Sequence, residues 1–149
     1  MSMQSDLNFE VIVADDGSRV EHRNAICESA VARALKAIYI WHPDVGFTAS
    51  RVRNRGVTAA SHRYVVFLDG DCVPEVDFIA RHKLLAESGF FVNGSRVLLS
   101  PELTREVVAQ STAGVGEQIC DRGAVYWLRQ RFQGRASKLT GLLDRKSVV

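Results

Sequence analysis

The stretch that decides the fold is Arg63-Tyr64-Val65-Val66-Phe67-Leu68-Asp69-Gly70-Asp71-Cys72-Val73-Pro74. Its apolar run, residues 65–68, has no polar alternation, which is typical of a central strand covered on both faces. The run stops at two aspartates one residue apart, and Pro74 suits the first turn of a following helix. Asp69 and Asp71 are therefore predicted in a tight turn at the carboxyl end of a strand, where open α/β sheets bind ligands.

The two aspartates of this turn carry like charges across a single glycine. Such a pair is stable only if a cation, hydrogen-bond donors or water compensate the charge. Mg²⁺ and Mn²⁺ prefer oxygen ligands and often take one or two carboxylates from the protein, with substrate phosphates and water as the other ligands. An acidic β-turn without a metal is the alternative, because Asp and Gly favour turns whatever the function.

The composition is ordinary for a globular domain. The chain has 149 residues, of which 46% are hydrophobic and 24% charged, enough for one domain with a core. It has neither a run of eighteen apolar residues nor a signal-peptide pattern. Three widely spaced cysteines argue against a disulfide framework or a zinc site and favour a reducing cytoplasm. The four scattered histidines are predicted at surface or edge positions, and a net charge of +2 is too small to predict nucleic-acid binding.

A second acidic turn follows a second predicted strand. The apolar residues 9–14 end at Asp15 and Asp16. Ser18 and Glu21 match a capping box, which predicts that a helix begins at Ser18. Turn formation and helix capping are the alternative explanation for the two aspartates.

A basic helix is predicted to begin near Thr48. It carries Arg51, Arg53 and Arg55 at alternate positions, so Arg51 and Arg55 share a face while Arg53 points elsewhere. The helix is either a solvated basic surface or a site where a guanidinium meets a diphosphate.

The rest of the pattern sets the fold class. It predicts a helix from Pro74 to about residue 88, one long or two short strands over 89–99, and a helix capped by Ser100 and Pro101. Strands that alternate with helices predict an α/β fold, with a mostly parallel sheet flanked by helices and right-handed connections.

Three motifs in this order resemble those of the family 2 glycosyltransferases of GT-A fold. They are residues 9–18, residues 46–56 with Arg53-Asn54-Arg55-Gly56, and residues 64–74. The resemblance covers about residues 9 to 100. It implies a partial GT-A (nucleotide-diphospho-sugar transferase) fold, in which residues 9–110 form an incomplete donor-binding core and residues 111–149 a basic, mainly helical extension.

The resemblance also implies roles for individual residues. The nucleotide-sugar-binding residues would be Asp15, Asp16, Arg53 and Asp69. Asp15 would accept from the uracil or an equivalent ring, and Arg53 would lie near the base, ribose or phosphates. Asp69 and Asp71 match the Asp-x-Asp motif, with Asp69 toward the ribose or metal and Asp71 as a direct ligand of Mn²⁺ or Mg²⁺. That cation would neutralise charge on the departing nucleoside diphosphate.

The implied reaction moves a hexosyl or N-acetylhexosaminyl group from a nucleotide-diphosphate sugar, expected to be a UDP-sugar, to a saccharide or lipid-linked acceptor. It inverts the anomeric centre with the help of a carboxylate base. No carboxylate beyond Ser100 lies in a recognisable base motif; the candidates are Glu102, Glu106, Glu117, Asp121 and Asp144. A catalytically inactive nucleotide-sugar-binding fragment is therefore the alternative. A nucleotidyltransferase is more distant, because the Gly-rich phosphate loop near the start is missing.

Two further expectations concern partners. The resemblance implies another apolar strand before Phe9, and residues 1–8 do not match one, so we expect an exposed sheet interior or edge, with a homo-oligomer, strand swapping or poor stability as the alternative consequences. Basic and aromatic residues are combined in residues 122–149, which predicts a packed helix or, as a second hypothesis, a peripheral membrane contact. The expected location is the cytoplasm, with the inner face of the membrane as a second hypothesis.

Overall fold

The structure is a computed structural model, and it describes residues 1–94, 96–109, 129–137 and 143–147. The described elements are β1 (Ile12–Asp15), α1 (Val20–Glu28), α2 (Ala30–Ala34), β2 (Ile38–Trp41), α3 (Ala49–Ala59), α4 (Phe78–Leu85), β3 (Phe90–Gly94), β4 (Leu98–Leu99), α5 (Pro101–Ala109), β5 (Ala136–Ser137) and β6 (Leu143–Ser147). Helices and strands thus confirm the α/β class. Among these residues no helix is long and apolar enough to cross a membrane.

The chain divides into two units. The amino-terminal unit is Asn8–Leu68 with Ser2, and the carboxyl-terminal unit is Asp69–Val149 with Met1 and Met3–Leu7. The predicted boundary between residues 110 and 111 falls outside the described residues and stays a prediction.

The amino-terminal unit is built on one parallel strand pair. β1 pairs with β2 in the register that places Ile12 opposite Ile38 and Asp15 opposite Trp41. Helix α3 covers this pair through its buried residues, Val52 and Gly56. An added Cβ at Gly56 would lie 3.7 Å from the Ala14 Cβ, an ordinary packing distance. The parallel pairing and the helix beginning after Thr48 confirm two predictions.

The helix predicted from Ser18 differs from the observed one. α1 begins at Val20 with Arg19 at its N-cap and no side-chain cap, and a separate helix, α2, begins after Ser29. The capping-box prediction is wrong because the Ser18 N–H donates to Asp15 Oδ1 at 2.8 Å. The Asp15 carboxylate therefore accepts the hydrogen bond that the Glu21 side chain would accept in a capping box.

The residues predicted as a central strand, Val65–Leu68, do not form one. They make no backbone hydrogen bond within the described part of the chain, and Phe67 is 61% exposed. β1 pairs only with β2 among the described strands, so no neighbouring strand edge meets residues 65–68. An apolar, β-branched run becomes a strand only when another strand supplies its hydrogen bonds.

Helix α4 begins later than predicted, at Phe78 rather than near Pro74. The start of the chain, for which no structure was predicted, is hydrogen-bonded to this region. The buried Gln4 side chain donates through Nε2 to the Glu75 carbonyl at 2.7 Å and accepts at Oε1 from the Ile79 N–H at 3.0 Å. One glutamine side chain thus satisfies the backbone around the first turn of α4.

Residues 89–99 form two strands, as one of the two alternatives predicted. β3 pairs with β6 and β4 with β5, and both pairs are antiparallel. Among the described strands, the predicted parallel pairing therefore occurs only between β1 and β2. Asn93 and Gly94 lie inside β3 and not in a turn.

Helix α5 begins as predicted. The Ser100 hydroxyl accepts from the Leu103 N–H at 3.2 Å, and Leu103 and Val107 are buried. Val108, predicted on the buried side, is exposed because it lies one position beyond that stripe. In the basic tail, residues 129–132 are helical, and most of the predicted helix lies outside the described residues.

Candidate functional site

The first cluster of candidate residues is the acidic turn, residues 15–18, at the edge where β1 and β2 both end. The carboxyl ends of parallel strands share one edge of a sheet, so side chains of β2 reach this turn. Asp15 is only 8% exposed. Its Oδ1 accepts from the Ser18 N–H at 2.8 Å, and its Oδ2 accepts from the Tyr39 hydroxyl. The carboxylate is thus held from two sides.

The protonation states of this pair follow from their surroundings. Burial raises the pKa of Asp15, but hydrogen bonds from Tyr39, Ser18 and Gly17 outweigh burial and leave the pKa below its ordinary value of 3.8. Burial, followed by the hydrogen bond and the charge of Asp15, raises the pKa of Tyr39 well above its ordinary value. At neutral pH Asp15 is therefore an anion, and Tyr39 is the phenol that donates to it.

Asp16 joins the acidic turn to the start of α3. Its Oδ2 accepts from the Thr48 N–H at 2.9 Å, and its Oδ1 accepts from the Thr48 hydroxyl at 2.6 Å. His42 Nε2 lies 3.1 Å from the same Oδ1. The N-terminal amides of a helix lack partners within the helix. The Asp16 carboxylate accepts from one of these amides and also interacts favourably with the positive end of the helix dipole.

Trp41, the last residue of β2, is hydrogen-bonded to the last residue of the acidic turn. Its indole N–H donates to the Ser18 carbonyl at 3.0 Å, and its own carbonyl accepts from the Arg55 guanidinium at 3.2 Å. The Arg23 guanidinium lies 5.7 Å from the centre of the indole ring, within the range of a cation–π contact.

Gly17 is required by the geometry of the turn. Its φ is +94°, and an added Cβ would lie 2.6 Å from the Asp44 Cα. Both the backbone conformation and the space therefore exclude a side chain.

All three predicted arginines are exposed on α3, in the same unit as the acidic turn. The Arg55 guanidinium donates to the Trp41 carbonyl at the end of β2. Phe47, in the loop before α3, is 94% exposed. The nucleotide-binding roles of Asp15, Asp16 and Arg53 stay predictions.

The second cluster is the Asp-x-Asp turn, residues 69–72, in the carboxyl-terminal unit. The Cys72 N–H donates to the Asp69 carbonyl at 3.0 Å, which confirms the predicted tight turn. Arg96 lies 3.5 Å from Asp69 Oδ2, and the Cys72 thiol donates weakly to Asp71 Oδ1 at 3.7 Å. Both aspartates are exposed.

The donor atoms of this turn suit a divalent cation. One ligand atom from each of Asp69, Asp71 and Cys72 lies within 4.8 Å of the other two. Hard cations such as Mg²⁺ and Mn²⁺ would take the two carboxylates and leave the softer sulfur aside. The exposure of the turn leaves room for substrate oxygens and water as further ligands. The residues therefore fit the implied metal, with Asp69 and Asp71 as its holders.

The candidate residues are divided between the two units. Asp15, Asp16 and Arg53 belong to the amino-terminal unit, and Asp69 and Asp71 to the carboxyl-terminal unit.

The sequence interpretation missed the residues that hold the acidic turn: Tyr39, Trp41, His42 and Thr48. Their signal was positional: Tyr39 and Trp41 lie in the strand that pairs with β1, His42 follows that strand, and Thr48 directly precedes α3. It also missed Cys72 as a third donor. The surface position predicted for His42 and His82 is wrong, since both are buried: His42 lies against the Asp16 carboxylate, and His82 packs edge-on against Phe78.

Comparison with known proteins decides the family. The sequence profile described as Glycosyl transferase family 2 matches residues 2–142. The chain belongs to this family. A chondroitin synthase of Escherichia coli is 39% identical over 67 residues, 45% of this chain and 10% of the relative. A hyaluronan synthase of Pasteurella multocida is 35% identical over 79 residues, 53% of this chain and 8% of the relative. No solved structure matches the chain significantly.

Membership in glycosyl transferase family 2 agrees with the resemblance read from the three motifs. It implies an α/β fold of the GT-A type. The chain spans about a tenth of the length of the curated relatives it matches.

Proposed function

We propose that this chain contributes the donor site of a glycosyltransferase that transfers a sugar from a UDP-sugar to a saccharide or lipid-linked acceptor. The observation that carries the proposal is the acidic turn, whose two carboxylates are already held by β2 and α3 in a chain of family 2. A prebuilt acceptor group at the end of parallel strands suits the N–H groups of a nucleobase or the hydroxyls of a ribose. Relatives named as chondroitin and hyaluronan synthases favour a polysaccharide product.

In this proposal each cluster has a separate task. Asp15 and Asp16 accept hydrogen bonds from the nucleoside, and exposed Arg53 meets the ribose or diphosphate as a permanent cation. Asp69 and Asp71 hold Mn²⁺ or Mg²⁺, which supplies positive charge for the departing diphosphate. Arg96, beside Asp69, adds a second positive charge at that turn.

Inversion needs a carboxylate that removes the acceptor's proton, ideally with a pKa near the working pH. Glu102 does not suit this role, because its backbone N–H, the Ser100 hydroxyl and Arg135 lower its pKa. Glu106 is paired with Arg135 at 2.5 Å. The lowered pKa of Glu102 and the ion pair of Glu106 favour a second proposed function, which is donor binding without transfer. The side chains of Glu117, Asp121 and Asp144 lie outside the described part.

The first test is calorimetric titration of UDP into the whole chain, with and without Mn²⁺, repeated on Asp71→Ala. We expect tighter binding with Mn²⁺ in the wild type and loss of that increment, at least about tenfold, in the variant. Asp77→Ala is the matched control, since Asp77 is a half-exposed carboxylate of the same unit whose ion pair with Arg81 is long, at 3.8 Å. No UDP binding under either condition would overturn the proposal.

A second test separates transfer from binding. Incubation with UDP-sugars, Mn²⁺ and glycan acceptors, followed by mass spectrometry, detects an acceptor lengthened by one sugar. Product supports the transferase; a bound donor that is neither transferred nor hydrolysed supports the binding module.

The location at the inner face of the membrane and a contact through residues 122–149 remain part of the proposal. Co-sedimentation with anionic vesicles that weakens as salt rises would support that contact.

A further inference from the structure

His42 is a buried ring whose two nitrogens both face oxygen atoms. It is 6% exposed. Nδ1 lies 2.9 Å from the Pro43 carbonyl oxygen, and Nε2 lies 3.1 Å from Asp16 Oδ1. A carbonyl and an ionised carboxylate can only accept hydrogen bonds, so each ring nitrogen faces an acceptor.

The neighbouring Thr48 hydroxyl does not donate to His42 either. Thr48 directs its hydroxyl proton to Asp16 Oδ1, 2.6 Å away, and so presents only lone pairs to His42 Nε2 at 3.4 Å. A neutral imidazole has one N–H, and its bare nitrogen would face an oxygen lone pair in a buried position. A ring with a proton on each nitrogen donates to the Pro43 carbonyl through Nδ1 and to Asp16 Oδ1 through Nε2, and the Asp16 carboxylate balances its charge.

We propose that His42 is a positioning residue of the acidic turn. Its imidazolium donates to the Pro43 carbonyl and to Asp16, and thereby holds the Asp16 carboxylate against the start of α3, ready to receive the nucleoside. The last clause rests on the proposed function. The hydrogen-bond arrangement does not, and it can be tested without any nucleotide.

The experiment uses the whole chain labelled with ¹⁵N at histidine and at backbone amides, studied by NMR at pH 7. We expect the His42 signal, assigned by its loss in His42→Gln, to show a proton on each ring nitrogen. We expect His42→Ala to shift the Asp16 and Thr48 amide signals. It should also weaken UDP binding roughly tenfold, the equivalent of one charge-assisted hydrogen bond. His42→Gln, which keeps one donor, should fall between the wild type and His42→Ala.

His62→Ala is the matched control. His62 also contacts a carboxylate of the amino-terminal unit, Glu10 at 2.8 Å, but it is exposed and distant in sequence from the acidic turn. It should change UDP affinity by no more than about twofold.

Three outcomes would overturn the proposal: a neutral His42 ring, unmoved Asp16 and Thr48 signals in a folded variant, or wild-type UDP affinity in His42→Ala. If the wild-type chain binds no UDP, the proposed function fails, while the NMR signals still decide whether His42 holds Asp16. If His42→Ala does not fold, the ring signal and His42→Gln decide.

Discussion

The two acidic turns of this chain differ in what holds their carboxylates. In the acidic turn of residues 15–18, both aspartates accept from backbone and side-chain donors of β2 and α3. In the Asp-x-Asp turn, Asp69 and Asp71 are exposed; Arg96 lies 3.5 Å from Asp69 Oδ2, and the Cys72 thiol donates weakly to Asp71 Oδ1. The first turn is therefore organised by the protein itself, whereas the second has room for a cation to organise it.

This contrast has a physical meaning for a site that binds a nucleotide and a metal. A group that must recognise a nucleobase gains from being fixed before the ligand arrives, because less ordering is needed on binding. A group that must share a cation with phosphates and water gains from remaining open. The predictions below test whether the difference is as large as the contacts indicate.

The largest expected difference between the two turns comes from their glycines. Gly17→Ala should destabilise the chain by roughly 2–5 kcal/mol, because φ is +94° and the new Cβ would meet the Asp44 backbone. Gly70→Ala is the matched change in the Asp-x-Asp turn, where nothing lies within 4 Å of the new Cβ, and it should be nearly neutral. Urea unfolding followed by circular dichroism measures both. Equal losses would abolish the contrast.

An intermediate effect is expected from the aspartates. Asp16→Ala should cost about 1–3 kcal/mol of unfolding free energy, because the Thr48 amide and hydroxyl and the buried His42 ring lose their acceptor. Asp71→Ala should change it by less than about 0.5 kcal/mol, as expected for an exposed side chain. Chemical denaturation without metal compares the two variants, and a costly Asp71→Ala would mean that the Asp-x-Asp turn is also built in advance.

The smallest effect concerns pH. The pKa of Asp15 is lowered in the folded chain, so its contribution is complete above the ordinary value of 3.8 and is lost as pH falls through the lower folded value. Tyr39→Phe removes one of the hydrogen bonds that lower this pKa and should reduce the free energy of unfolding by about 1–2 kcal/mol at pH 7. On acidification, Asp15 should become protonated at a higher pH in this variant, so its contribution to stability is lost earlier.

An acid titration of the carboxyl carbons by NMR measures this shift. Glu10 is the internal control, because the hydrogen bond with His62, followed by those from Ser61, lowers its pKa to about 2 without involving Tyr39. An unchanged Asp15 curve in Tyr39→Phe would show that the phenol does not hold this carboxylate.

The features that sequence predicted well are those with local causes. Asp-Gly-Asp after an apolar run predicts a turn, and Ser100 before Pro101 predicts a helix start, because the deciding atoms lie within a few residues. The family resemblance located both acidic turns for the same reason, since its motifs are short and contiguous.

The features that sequence predicted poorly depend on distant partners. Residues 65–68 have strand composition, but pairing needs an edge that no described strand provides. His42 is buried because Asp16, Thr48 and the Pro43 carbonyl surround it, and only the fold brings Asp16 and Thr48 to it. Gln4 likewise acquires its role from a helix more than seventy positions away.

Residues 65–68 lack backbone hydrogen bonds within the described part of the chain, and this has one more consequence, for the action of proteases. A protease cleft binds its substrate as an extended strand through free amides and carbonyls, and this mostly exposed segment offers a phenylalanine and a leucine, side chains that chymotrypsin prefers. Leu68 is also the last residue of the amino-terminal unit. Brief digestion should therefore nick the chain between its two acidic turns, within a stretch whose apolar composition would ordinarily predict a protected, buried strand.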